Sequence, residues 1–155
     1  MKKPLSLAGE LLPKVRAYVV RRLALRSFSV LELKQDLRKK QASPEMITAV
    51  LEEFIGLGYL NEEAWLESFM AGCARKKLGP QAIGQKLYQK GYSQAQIEAI
   101  ISQVDQKVGL EQLLATKYRN RNLEDWKERQ KVIASLCRKG FALEEILACL
   151  GNSKA

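Results

Sequence analysis

The 155-residue sequence contains no histidine, only three cysteines and only four prolines. Without histidine the chain cannot form a Ser-His-Asp or Cys-His nucleophile pair, a histidine-containing zinc site, or the most common general acid or base. A mechanism based on lysine, tyrosine or carboxylate remains open. These exclusions nevertheless favour a binding protein over an enzyme, and they predict no metal and no cofactor.

The three cysteines are an odd number and form no CxxC pair. We interpret Cys73, Cys137 and Cys149 as buried thiols in a reducing cytoplasm, because their spacing suits neither a disulfide framework nor a metal cluster. The sequence also lacks the run of about 18 apolar residues that a membrane-spanning helix needs. Its N-terminal segment is too interrupted to read as a signal peptide. Together these features predict a cytoplasmic location.

Positive charge is in clear excess and is unevenly distributed. Lysine and arginine number 26 against 17 acidic residues, which gives a formal net charge of +9 and a pI near 9.6. Residues 1–60 carry 11 basic and 6 acidic groups, residues 61–104 carry 5 and 4, and residues 105–155 carry 10 and 7. This balance indicates an anionic partner.

Apolar residues recur at helical spacing along nearly the whole chain. Leu66, Phe69, Met70 and Cys73 follow the i, i+3, i+4, i+7 pattern of one helix face. No stretch alternates apolar and polar residues as a strand would, so we predict an all-α fold. The expected helices are 13–26, 30–41, 44–57, 62–77, 80–90, 94–104, 106–120, 123–139 and 142–150.

Cap and break signals support these limits. Ser29, Ser43 and Asn61 each precede a predicted helix and are residue types that accept hydrogen bonds from the first turn. Gly79 with the following proline, and Gly140, mark breaks between helices.

A motif of leucine, lysine and a turn residue occurs three times, beginning at Leu37, Leu87 and Leu136. The copies are separated by 50 and then 49 residues, so the repeated unit is three helices long. Neighbouring units of this kind bury their remaining apolar edges against each other, which predicts an elongated, curved array of either hand. The expected organisation is an N-terminal extension 1–12 and three repeats, 13–58, 59–104 and 105–155.

Basic residues gather in clusters, several of them at the predicted ends of helices. Cations there complement the helix dipole at about 0.3–1 kcal/mol each, which is a structural explanation for any one cluster. The overall excess of charge instead favours contacts with phosphates or with an acidic protein groove. The candidate contact residues are Arg21, Arg22, Arg26, Arg75, Lys76, Lys77, Arg138 and Lys139.

Aromatic residues are scattered and do not alternate with arginine, which gives little support for base stacking. We expect Phe54, Phe69 and Phe141 to belong to the core, and for Trp126 burial is the favoured alternative to partial exposure. Each repeat contains a pair of helices spaced as in DNA-binding modules, but the second helix has few base-reading side chains. Sequence-specific DNA recognition is therefore not expected.

Four short motifs follow one another along the chain. They are Arg26-x-x-Ser29-x-x-Glu32-Leu33, Gly58-Tyr59-Leu60, Gly79-Pro80-x-x-Ile83-x-x-x-Leu87-x-x-Lys90-Gly91, and Lys139-Gly140-Phe141 with Ile146. Their order resembles that of the RecX family, and the resemblance extends from about Val15 to Leu150. Asn61-Glu62 stands where the family commonly has a pair of aspartates, and Gln41-Ala42 stands where glycine and an aromatic residue often occur.

This resemblance implies three tandem three-helix repeats and a regulator of the RecA recombinase in DNA repair, homologous recombination and the SOS response. Such a protein binds the RecA filament on single-stranded DNA and inhibits ATP hydrolysis, strand exchange and coprotease activity, without an active site of its own. The implied partners are RecA and nearby single- or double-stranded DNA phosphates, contacted by a monomer. The alternative from charge and periodicity alone is a non-specific DNA-binding helical module without a recombinase partner.

Overall fold

A computed structural model describes residues 5–151, which form nine α-helices and, within that range, no β-strand. The predicted all-α class is confirmed. No helix in the described part of the chain is long and apolar enough to cross a membrane. The helices are α1 (Leu12–Leu25), α2 (Val30–Lys39), α3 (Pro44–Gly56), α4 (Glu62–Arg75), α5 (Pro80–Gln89), α6 (Gln94–Ile101), α7 (Gln106–Ala115), α8 (Trp126–Arg138) and α9 (Leu143–Cys149).

The predicted N-caps are confirmed by their hydrogen bonds. The side-chain oxygens of Ser29, Ser43 and Asn61 each accept a hydrogen bond from the backbone N–H three residues later, at 2.9, 3.2 and 3.0 Å. These bonds satisfy donors that the first helical turn leaves without a partner. The carboxylate of Glu62 has a second role, since its Oε2 accepts a bond of 2.6 Å from the backbone N–H of Val30 and thereby ties α4 to the start of α2.

Several helices end in the same left-handed turn. One residue takes a positive φ, and the next residue donates its N–H, at 2.9 to 3.2 Å, to a carbonyl five positions back. Three of these turns use glycine, as expected from its conformational freedom, and two use Gln41 (φ 66°) and Lys77 (φ 55°). The positions are Gln41, Gly58, Lys77, Gly91 and Gly140.

The largest error in the predicted helix limits lies between α7 and α8. Helix α7 ends at Ala115 rather than at residue 120, and α8 begins at Trp126 rather than at residue 123. The Thr116 hydroxyl donates to the carbonyl of Gln112 at 2.7 Å, and Asn122 Oδ1 accepts from a backbone N–H two residues later at 3.1 Å. Such local side-chain bonds compete with helix continuation.

The structure divides into two compact units, one ending at Phe69 and the other beginning at Met70, within α4. Unit 1 contains α1 to α3 and buries a core drawn from all three helices, including Val19, Leu33 and Val50. Unit 2 contains α5 to α9, and α7 to α9 enclose a second core around Leu110 and Ile146. The repeat boundaries predicted above remain a prediction.

Burial follows the repeat detected in the sequence. The equivalent leucines Leu37, Leu87 and Leu136 are all completely buried, each at 0% exposure. The aromatic residues that follow the turn glycines, Tyr92 and Phe141, are also buried. In each of the three copies the equivalent leucine is therefore buried at the centre of a helix pair, as tandem three-helix repeats require.

Three predictions about individual side chains are wrong. Phe69, expected in the core, is only partly buried and belongs to neither core cluster of the described residues; its ring stacks on that of Trp65, with 5.1 Å between the ring centres.

Cys137 is exposed, although Cys73 is buried and Cys149 is partly buried. On α8 the buried face includes Leu136, and the adjacent residue is turned by about 100° around the axis, which takes Cys137 away from the core. Trp126 is 70% exposed because it is the first residue of α8 and lies outside the buried face of that helix.

Candidate functional site

The candidate arginines of unit 1 are largely engaged within the fold. Arg26 donates from Nη1 and Nη2 to the two carboxylate oxygens of Glu32, at 3.1 and 2.8 Å. Its guanidinium carbon also lies 3.8 Å from the centre of the Phe28 ring. The hydrogen bonds that Arg26 donates to Glu32 raise the pKa of Arg26 above its usual value. Arg26 is therefore already paired with a carboxylate.

Arg22 is part of a second cluster between α1 and α2. Its Nε lies 3.2 Å from Asp36 Oδ2, close enough for an ion pair but not aligned as a hydrogen bond. The same carboxylate oxygen accepts a hydrogen bond of 2.7 Å from the Tyr18 hydroxyl. Burial, followed by the bond to Asp36, raises the pKa of Tyr18 to about 12. Of the three candidate arginines Arg21, Arg22 and Arg26, Arg21 is exposed and has no carboxylate partner within residues 5–151.

The structure gives the motif around Arg26 a folding role. Ser29 caps α2, Glu32 holds Arg26 by two hydrogen bonds, and Leu33 is completely buried in the core of unit 1. A fork of two parallel bonds between arginine and a carboxylate fixes the direction of both side chains. These contacts explain the residue types of this motif without an external ligand.

The candidate residues of unit 2 come together, although they are about sixty positions apart in sequence. Lys139 Nζ donates a hydrogen bond of 3.1 Å to the backbone carbonyl of Lys76. Two backbone bonds join the same segments, from Gly79 N–H to the Lys139 carbonyl at 2.8 Å and from Gln81 N–H to the Gly140 carbonyl at 3.0 Å. We call the resulting group of cations the basic junction, which consists of Arg75, Lys76, Lys77, Arg138 and Lys139.

Two glycines allow the backbones of the basic junction to approach. A Cβ atom on Gly79 would lie 2.4 Å from the carbonyl carbon of Gly140, far inside van der Waals contact. A Cβ on Gly140 would lie 2.4 Å from the backbone nitrogen of Ala82, and Gly140 also has a φ of +99°. The sequence marked both glycines as helix breaks, but nothing in their local pattern indicated that they touch.

The charges of the basic junction are not neutralised within unit 2. None of its five cations makes an ion pair with a carboxylate in the part of the chain that the structure describes. Arg75, Lys76 and Arg138 are exposed, and Lys77 Nζ donates a long hydrogen bond of 3.5 Å to the Thr116 hydroxyl. The arrangement is thus chemically suited to an anion.

The fold and this site define a class, namely an all-α protein of tandem three-helix repeats with a cationic surface on its second unit. Residues 110–150 match the family model described as RecX, third three-helix domain. The chain is 33% identical over 134 residues to the regulatory protein RecX of Pseudomonas savastanoi, covering 85% of this chain and 86% of that protein. It is 34% identical over 134 residues to the regulatory protein RecX of Ectopseudomonas mendocina, covering 85% and 89%.

Solved structures agree on the fold. The crystal structure of RecX from Lactobacillus salivarius superimposes with a TM-score of 0.67 at 22% identity, covering 91% of this chain and 95% of that chain. A second crystal structure of a regulatory protein RecX gives a TM-score of 0.64 at 19% identity, covering 92% and 72%. The chain belongs to the RecX family, which confirms the resemblance of its motifs.

Proposed function

We propose that this chain regulates the RecA recombinase by binding RecA filaments on single-stranded DNA and inhibiting their ATPase, strand exchange and coprotease activities. The observation that carries this proposal is its similarity, over most of both chains, to proteins named regulatory protein RecX. The regulator acts by binding rather than by catalysis, as a monomer in the cytoplasm.

A regulator of this kind works through differential affinity. It can lower the activity of a filament only if it binds one state of the filament more tightly than another. The repeated helical units offer similar surfaces to a polymer of identical subunits, and cations favour contact with acidic or phosphate groups. The candidate contacts remain Arg21, Arg22, Arg26, Arg75, Lys76, Lys77, Arg138 and Lys139, of which Arg22 and Arg26 would have to leave their carboxylate partners.

The test is a titration of the single-strand-dependent ATPase of RecA. We expect the rate of ATP hydrolysis to fall when this protein is present at much less than one molecule per RecA subunit, because blocking a filament affects many subunits. A second, unrelated ATPase that also depends on single-stranded DNA serves as the control. An unchanged RecA rate with excess protein would contradict the proposal.

A second candidate is a non-specific DNA-binding module without a recombinase partner, favoured by the unpaired cations of the basic junction. Such a module would inhibit both ATPases equally, and only at concentrations high enough to cover the DNA. Inhibition of RecA alone separates the two candidates.

A further inference from the structure

Four aromatic side chains that are scattered in the sequence line one groove in unit 1. The groove has a volume of about 360 Å³, and the aromatic residues in its wall are Phe28, Tyr59, Trp65 and Phe69. We call it the aromatic groove. Phe28 is almost completely buried in the core of unit 1, whereas Tyr59 is 70% exposed. The groove therefore presents aromatic surface to solvent beside the hydrophobic core.

The fold brings these residues together from three segments. On α4 the lining residues follow the spacing of one helix face, and the rings of Trp65 and Phe69 stack with 5.1 Å between their centres. In the turn after α3, Gly58 takes a φ of +84°, and the residues that follow place Leu60 in the core but leave Tyr59 outside it. The groove is a product of tertiary structure, which explains why its aromatic residues look unrelated in the sequence.

Tyr59 has no role in the fold that accounts for an exposed aromatic ring. Its hydroxyl makes no hydrogen bond within residues 5–151, and its ring centre lies 6.0 Å from that of Phe54, with the two planes tilted by 52°. Leu25 and Leu57, which lie within two residues of the groove lining in sequence, are also exposed. Exposed apolar residues gathered around a groove are typical of a protein–protein contact.

We propose that the aromatic groove is a docking site for RecA, in which an aliphatic or aromatic side chain of a RecA subunit is buried. This inference rests on the proposed function. It adds a surface and a type of contact, because the candidate contacts named above are all cations.

Charge complementarity selects an uncharged segment of a protein as the occupant. None of the residues that line the groove is charged, although the whole chain has a formal net charge of +9. Arg26, whose guanidinium lies against the Phe28 ring, is already paired with Glu32. A nucleic-acid strand carries a phosphate with every nucleotide, and the groove wall holds no cation to neutralise it. An apolar side chain needs no ionic partner there and gains from the removal of its surface from water.

The residue types of the groove are those that dominate the binding energy of protein interfaces. Tyrosine and tryptophan are enriched at such sites, because their large rings bury much area and lose little conformational entropy. An energetically important contact is usually surrounded by a polar rim. The groove has a rim of this kind in the exposed, neutral side chains of Ser27, Asn61 and Ser68.

The experiment measures how the full chain inhibits the single-strand-dependent ATPase of RecA at several salt concentrations. Binding of labelled oligothymidine to the same proteins is measured by anisotropy. Tyr59→Ala removes an exposed wall of the groove, and Ala64→Gln adds a polar side chain to its lining from an exposed position on α4. The matched controls are Tyr88→Ala and Ala95→Gln, the same substitutions at exposed positions of unit 2 outside the groove. Tyr59 and Tyr88 are almost equally exposed, at 70% and 69%.

We expect both groove variants to raise the protein concentration that gives half-maximal inhibition by about tenfold or more, as truncation of an interface anchor does. The dependence of that concentration on salt should stay unchanged, because no charged group is removed. Both groove variants should keep the oligothymidine affinity of the wild type, and both controls should inhibit RecA as the wild type does. Circular dichroism and thermal melting confirm that each variant folds.

Inhibition by both groove variants at wild-type concentrations would overturn the inference and leave the proposed function intact. Equal losses in Tyr59→Ala and Tyr88→Ala would also overturn it, since the effect would not belong to the groove. A matching loss of oligothymidine affinity in the groove variants would overturn it in favour of an unpaired base as the occupant. If the wild type fails to inhibit RecA, the proposed function fails and this inference fails with it.

Discussion

The two units hold their helices together in different ways. In unit 1, arginines on α1 and at its C-cap are matched by carboxylates on α2 and α3, with Arg16 Nε 2.9 Å from Glu53 as well as the pairs at Arg22 and Arg26. In unit 2, the segment after α4 and the turn after α8 are joined by backbone hydrogen bonds that only glycines permit. In the part of the chain that the structure describes, the cations at that junction make no ion pair with a carboxylate.

The same repeat position shows this difference at the level of one side chain. Asp36 and Ser135 both precede a completely buried leucine, and each pairs with a tyrosine hydroxyl, from Tyr18 and Tyr118. At this position unit 1 has a charged acceptor, the carboxylate of Asp36, whereas unit 2 has the neutral hydroxyl of Ser135. Hydrogen bonds to charged groups are the stronger kind, so equivalent contacts carry different weight in the two units.

The largest expected effect comes from breaking the backbone junction of unit 2. Gly140→Ala should lower the free energy of unfolding by about 3 kcal/mol, because the new Cβ collides with the backbone of Ala82 and the φ of +99° disfavours a side chain. Urea denaturation measures the loss.

The matched control lies in unit 1. Gly58 has a φ of +84° but no atom within 4 Å of an added Cβ, so Gly58→Ala should cost only about 1 kcal/mol. Equal costs at the two sites would show that conformational strain alone, rather than the close approach of the two segments, makes Gly140 necessary.

An intermediate effect compares the two tyrosines. Tyr18→Phe removes a bond to a carboxylate and should cost about 1.5–3 kcal/mol, whereas Tyr118→Phe removes a neutral bond worth about 0.5–1.5 kcal/mol. Thermal melting of both variants at neutral pH tests the order, and the reverse order would remove the distinction drawn between the units.

The pH dependence sharpens this comparison. Tyr18 has a pKa raised from 10.0 to about 12, so the folded state holds the phenol proton more tightly than the unfolded state. The stability that this raised pKa gives the folded state is fully present below pH 10 and is lost as the pH rises through 12. An ultraviolet titration should show one tyrosine ionising near pH 12 in the wild type but not in Tyr18→Phe.

The smallest expected effect concerns the two left-handed turns without glycine. Lys77→Gly should raise the free energy of unfolding by about 0.5 kcal/mol, because relief of the strained φ exceeds the entropy that glycine adds to the unfolded chain. Gln41→Gly should raise the free energy of unfolding by less, because this substitution also removes the hydrogen bond from the Ser6 hydroxyl. Chemical denaturation distinguishes them, and a destabilised Lys77→Gly would show that the lysine side chain supports the fold.

Much of the fold was predictable because its signals are local. Apolar spacing identified the helices, capping residues such as Ser29 located their beginnings, and the repeat identified Leu87 and Leu136 as equivalent positions, both of which are buried. The segment between α7 and α8 was missed because Thr116, at the end of α7, and Asn122, in the connecting segment, make local side-chain bonds that apolar spacing does not reveal. Cys137 and Trp126 were misplaced because α8 buries one narrow face, through Val132 and Leu136, and leaves its other apolar residues in solvent.

The sequence predicted which residues belong to the candidate site but not how they are arranged in space. Composition and clustering selected all eight cations, yet they could not tell Arg26, which pairs with Glu32, from Arg138, which pairs with no carboxylate in residues 5–151. Both residues stand near the C-terminus of a predicted helix, so the sequence alone gave them the same interpretation.

By itself, the sequence determined the all-α class, the repeated unit and the excess of positive charge, because these depend on spacing and composition along one chain. Tertiary structure alone decided which charges are neutralised and which meet, since that depends on contacts between residues far apart in sequence. The approach of Gly79 to Gly140, about sixty positions away, is such a contact, and it is what gathers the cations of unit 2 into one surface.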